Sequence, residues 1–110
     1  MHQEPVEVVP VELQSRLGRP GAPVIVDVRE AWEVALAPFP HAVHIPLGEL
    51  TTRAAGELSP DAETVVVCHH GVRSLQGTRV LRSLGFRAVR SLRGGADLWS
   101  RTVDPSVARY

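Results

Sequence analysis

Lysine is absent from this 110-residue chain, cysteine occurs once, and aromatic residues make up only 5% of it. A single cysteine excludes an internal disulfide, so nothing in the fold depends on an oxidising compartment. It also means that a sulfurated or oxidised thiol must be resolved by another molecule. No run approaches the roughly 20 apolar residues that span a bilayer. The opening MHQEPVEVV lacks the basic and then apolar segments of a signal peptide. The expected location is therefore the cytosol, with no membrane partner. The formal net charge is zero, which removes any bulk electrostatic reason to expect nucleic acid. No second Cys or His pair stands at ligand spacing, so no metal is expected, although His69 and His70 adjoin Cys68.

What is present fits one compact domain over residues 1–110, with 44% hydrophobic and 22% charged residues and no repeats or linkers. Once one core is assigned, no long apolar face is left over, and a monomer is expected. The charges are unevenly spread. Residues 1–60 hold eight acids and four arginines, net −4, whereas residues 61–110 hold four acids and eight arginines, net +4. An all-arginine second half stays positive at ordinary pH and could draw a small anion toward a site built from it.

Short β-branched runs alternate with helical segments. Strands are expected at Pro5 to Val9, Val24 to Val28, Val43 to Ile45, Thr64 to Cys68 and Ala88 to Leu92. Helices are expected from Pro10 to Leu17, Glu30 to Ala37, Leu47 to Leu58, Arg73 to Leu84 and Ala96 to Arg101. In the fourth of these, Leu75, Val80, Leu81 and Leu84 approximate one apolar face. This alternation predicts an α/β fold with a mostly parallel five-stranded sheet and helices on both faces. Ligands then bind beyond the carboxyl ends of the strands.

One strand ends at Cys68, and the chain turns through His69-His70-Gly71-Val72 into a helix beginning near Arg73. A tight loop closing on a helix N-terminus aims backbone N–H groups and the positive end of the dipole at one centre. The thiolate is the reactive form of cysteine, and such a centre favours negative charge. Gly71 allows the turn, Arg73 offers a permanent charge and a forked donor, and Ser74 can cap the helix or donate to the loop. A lone cysteine is more often a buried strand residue; here strand end, glycine, arginine and helix start together favour a nucleophile. His69 and His70 then shape the loop and offer polar contacts.

The run from Cys68 to Ser74 resembles the active loop of single-domain rhodanese-like sulfurtransferases. Three further blocks occur in the same order: Val24-Ile25-Val26-Asp27-Val28-Arg29-Glu30, Val43-His44-Ile45-Pro46-Leu47, and Leu92-Arg93-Gly94-Gly95-Ala96-Asp97-Leu98-Trp99. The ending Val103 to Tyr110 is similar to rhodanese modules fused to ubiquitin-activating-like adenylyltransferases. The resemblance implies a rhodanese fold and a ping-pong transfer through a Cys68 persulfide, without a cofactor. It implies as donor a small anion such as thiosulfate or a protein persulfide, and as acceptor a thiophile or sulfur-carrier protein. His69, His70, Gly71, Val72, Arg73 and Ser74 would cradle the substrate. Asp27, Arg29 and Trp99 carry over as supporting residues, with a structural role for the charged pair and core packing for Trp99 the simpler assignments. Two other readings stay open. Some rhodanese-like domains are noncatalytic binding or sensing modules. Related phosphatases and arsenate reductases also use a Cys–Arg loop, but with five intervening residues; here there are four.

Overall fold

The computed structural model describes residues 5–110. Five strands, β1 (Glu7–Val8), β2 (Val24–Asp27), β3 (Ala42–His44), β4 (Thr64–Val67) and β5 (Val89–Leu92), form one sheet in the order β1-β5-β4-β2-β3. Every pairing is parallel, with Val26 opposite both Val43 and Val66, and Val66 opposite Ser91. The sheet is thus wholly parallel, one step beyond the mostly parallel sheet expected. All four residues of β4 are buried, as a central strand covered on both faces requires.

Four helices connect the strands, α1 (Pro10–Gln14), α2 (Ala31–Leu36), α3 (Leu50–Glu57) and α4 (Val72–Ser83), and α5 (Gly95–Thr102) follows β5. Successive strand residues point to opposite faces, and two apolar clusters result. Ile25, Val65, Val67 and Leu92 pack with Leu13 of α1 and Ala96 and Trp99 of α5. Val26, Val66, Cys68 and Val89 pack with Leu50 and Ala54 of α3 and Leu81 of α4. Sequence boundaries shift in places. The first helix ends at Gln14 rather than Leu17, and the expected helix from Leu47 begins with a 3-10 turn over Leu47–Glu49 before α3.

The apolar face expected on α4 packs only in part, through Leu81 and, beside it, Val80. Its buried residues are Ser74, Gly77, Thr78 and Leu81, and Leu84 is 44% exposed. Small side chains at this i, i+3, i+4, i+7 spacing let the helix lie close on β4. That proximity brings Ser74 beneath the active loop.

Candidate active site

Cys68 follows β4 at its carboxyl end, on the face covered by α3 and α4. Only 1% of its surface is exposed. Its sulfur accepts a hydrogen bond from the Gly71 N–H at 3.0 Å, and the thiol donates to Ser74 Oγ at 3.3 Å. Ser74 Oγ is in turn 2.6 Å from Ser91 Oγ on β5, and both serines are fully buried. Hydroxyl protons rotate to suit their partners. The Ser74–Ser91 chain therefore accepts from a thiol and donates to a thiolate without moving a heavy atom.

Gly71 is the residue before α4 and has φ of 98°, a left-handed conformation that glycine adopts freely. This geometry turns its N–H onto the sulfur. The other side of the loop is held by α5. The N–H groups of Ala96 and Asp97 donate to the carbonyls of Cys68 and His69 at 2.8 and 3.0 Å. A Cβ at Gly95 would stand 2.4 Å from the His69 carbonyl oxygen, so only glycine permits this approach.

Arg73 leaves the loop and forks onto Glu33 of α2, with N–O distances of 2.7 and 2.8 Å. Glu33 also accepts from the Glu30 N–H at 2.8 Å and the Tyr110 hydroxyl at 2.9 Å. The Arg73 pair, followed by these weaker aids, outweighs burial and holds the Glu33 carboxyl down at about 2. The same pair raises Arg73 further above its ordinary value. Val72 projects outward, 68% exposed.

Asp27 and Arg29 form a second fork, fully buried, with Arg29 Nη2 2.7 Å from Asp27 Oδ2. Arg29 also donates to the Ala37 carbonyl at 2.7 Å and to the Tyr110 hydroxyl at 2.9 Å. These bonds tie the end of β2 to the segment after α2 and to residue 110. His44 Nε2 donates to the Arg29 carbonyl at 2.7 Å. Trp99 is buried among the residues of the opposite cluster, its ring 5.0 Å from Phe39, and donates to Asp104 at 3.4 Å.

His69 lies between two rings, with centroids 4.0 Å from both His70 and Tyr110. Burial, then the neighbouring His70, lowers the His69 pKa below its ordinary value. Its Nε2 is buried with no hydrogen-bond partner among the described residues. His69, His70 and Asp97 offer ligand atoms within 4.8 Å of one another. The two imidazoles, however, are stacked with planes 24° apart. Their lone pairs lie in those planes and, as placed, do not converge on one ion.

Glu33, Ser91 and Tyr110 belong to this arrangement and were not singled out by sequence reasoning. Tyr110 lay inside a similar C-terminal segment, which was its only signal; Glu33 and Ser91 read as an ordinary helix acid and an ordinary strand residue.

Residues 9–102 match the family model of the rhodanese-like domain. A sulfurtransferase of Allochromatium vinosum is 32% identical over 102 residues, covering 93% of this chain and 94% of that protein. The chain belongs to the rhodanese-like family. A rhodanese-like/PpiC domain-containing protein 12 of Arabidopsis thaliana, described as chloroplastic, is 36% identical over 115 residues, and the match takes in 98% of this chain but 38% of that protein. Shorter matches reach adenylyltransferase and sulfurtransferase proteins, of which the chain spans 23% and 22%. Among solved structures, the human single-domain sulfurtransferase TSTD1 superposes with a TM-score of 0.81 at 29% identity, covering 90% of this chain and 98% of that one. The rhodanese-like core thus accounts for nearly all of the described chain, and sulfurtransferases are among the proteins it is similar to.

Proposed function

We propose that this rhodanese-like domain moves a sulfane sulfur from a donor to a thiophilic acceptor through a persulfide on Cys68. The observation that carries the reading is the setting of the sulfur, which meets the Gly71 N–H on one side and the Ser74–Ser91 hydroxyl chain on the other. Both can stabilise a thiolate. The Cys68 thiolate attacks the outer sulfur of the donor. The donor's S–S bond breaks, and its electron pair leaves with a thiolate or with sulfite. An acceptor nucleophile then attacks the outer sulfur of the Cys68 persulfide and returns the thiolate. No electrons are gained or lost overall, and no cofactor is needed.

Candidate donors are thiosulfate and a protein persulfide; a small thiol or a sulfur-carrier protein can act as acceptor. No helix among the described residues is long and apolar enough to cross a membrane, and a free thiol suits a reducing compartment such as the cytosol. The phosphatase reading loses further ground because Arg73 is turned onto Glu33 rather than closing over an oxyanion.

Intact-mass spectrometry under nonreducing conditions tests the proposal. After incubation with a sulfur donor, the protein gains about 32 Da, one sulfur atom; the gain is lost on cyanide treatment and absent in Cys68→Ser. A folded protein with a free thiol that gains no sulfur from thiosulfate or from any persulfide is a binding module instead.

A further inference from the structure

The charge that sequence reasoning assigned to substrate is already spent inside the protein. Arg73 is held by both Glu33 oxygens, and Glu33 is itself fixed by the Glu30 N–H and the Tyr110 hydroxyl. Two further guanidiniums are also paired with carboxylates. Arg29 is forked on Asp27, and Arg101 lies 2.9 Å from Asp97, the residue whose N–H holds the His69 carbonyl. His70 also faces Asp97, at 3.9 Å.

Exposed apolar side chains lie next to both members of this pair in the chain. Trp32, the chain neighbour of Glu33, is 63% exposed, and Val72, the chain neighbour of Arg73, is 68% exposed. Trp32 sets its edge against Tyr110, with centroids 5.9 Å apart, and Tyr110 stacks on His69. An aromatic and aliphatic collar therefore stands beside the fork.

A thiosulfate dianion entering such a site gives up its hydration, and the charge of Arg73 at the edge of the loop is already answered by Glu33. A persulfide presents one sulfur with at most a single charge, while its carrier can rest on apolar surface. Building on the persulfide reading above, we propose that Glu33 determines the donor class: by cancelling the charge of Arg73 it makes the site accept persulfide sulfur on a thiol carrier in preference to thiosulfate. In this transfer the Cys68 thiolate takes the outer sulfur of R–S–SH. The donor S–S bond breaks, R–S⁻ leaves with the electron pair, and Cys68–S–SH keeps the proton.

The test compares rates of Cys68 sulfuration by thiosulfate and by 2-hydroxyethyl persulfide, whose carrier is uncharged, each read by intact mass. In the native protein the persulfide is the faster donor. Glu33→Gln raises the thiosulfate-to-persulfide rate ratio about tenfold, the scale expected when one charge is uncovered beside a dianion at a partly solvated site. Arg73→Met lowers the ratio, and Glu33→Gln with Arg73→Met together returns it toward the native value. A measurement on the native protein guards against misfolded variants. Between about 20 mM and 500 mM salt the Debye length falls from roughly 20 Å to roughly 4 Å, and the thiosulfate rate changes less than about twofold if the site is electrically balanced. A steep decline with salt, or a Glu33→Gln ratio unchanged while both donors still sulfurate Cys68, overturns the role of Glu33 and leaves the transfer reading standing. Failure of both donors to sulfurate the folded protein removes the transfer reading, and this inference with it.

Discussion

Arg29 and Arg73 are each forked onto a carboxylate and each belong to the neighbourhood of one tyrosine hydroxyl, yet they occupy different worlds. The Arg29–Asp27 pair is wholly buried and spends its remaining donors on the Ala37 carbonyl and Tyr110. The Arg73–Glu33 pair has its acid buried and its guanidinium 34% exposed at the edge of the loop. Burial makes the first pair an anchor that cannot lose a member, because one unpaired charge inside a protein costs far more than the pair contributes. Partial exposure makes the second pair replaceable in stability terms but decisive for what charge a ligand meets.

The sharpest way to break this comparison is Arg29→Met. It strands Asp27 in the core and is expected to cost about 3–5 kcal/mol in denaturant unfolding; a loss below about 1 kcal/mol would put Arg29 on the same footing as Arg73. Arg73→Met is expected to cost less, about 1–2 kcal/mol, because Arg73 is partly solvated and buried Glu33 keeps the Glu30 N–H and the Tyr110 hydroxyl. It leaves Glu33 uncovered, however, and the apparent KM for thiosulfate rises about tenfold in steady-state assays. A drop in stability with unchanged kinetics would make Arg73 an anchor too. Tyr110→Phe touches both forks at once by removing the hydroxyl shared between Arg29 and Glu33. The expected cost is about 1–2 kcal/mol by thermal unfolding.

A further comparison comes from pH. Glu33 is held at about 2 against an ordinary 4.5, so its contribution is full above about 4.5 and is lost as pH falls toward 2. His69 is lowered from 6.5. Its neutral form is favoured in the fold, and stability begins to fall as pH drops below 6.5 because the unfolded chain takes up the proton first. Melting temperatures recorded against pH separate the two, since Glu33→Gln abolishes the acid limb and His69→Gln the limb nearer neutrality.

Local pattern carried much of this molecule. The β-branched runs from Val24 to Val28 and Thr64 to Cys68 and the glycine turn into α4 were legible because strand, turn and helix start are short-range features. The partners of the site were not. Glu33 precedes Arg73 by forty positions, and nothing in a helical Trp-Glu-Val segment says which arginine it meets. The opposite charges of the two halves looked like a basic region awaiting an anion, but Arg73, Arg90 and Arg93 of the second half reach Glu33, Glu12 and Glu7 of the first. Charge distant in the chain became charge cancelled in space. The face of α4 was misread in part, for a different reason: periodicity follows bulky residues, whereas Ser74, Gly77 and Thr78 pack because they are small.

The pairing of β5 between β1 and β4, and the seat of α5 on the loop carbonyls, also order events in time. A chain leaving the ribosome exposes Cys68 before Ser91, Ala96 and Asp97 have followed it out. Until those residues arrive, the sulfur lacks its hydroxyl chain and the loop lacks the amides that hold it. The setting of Cys68 is therefore completed late, and a nascent chain carries a cysteine with none of the supports that set it apart in the finished fold.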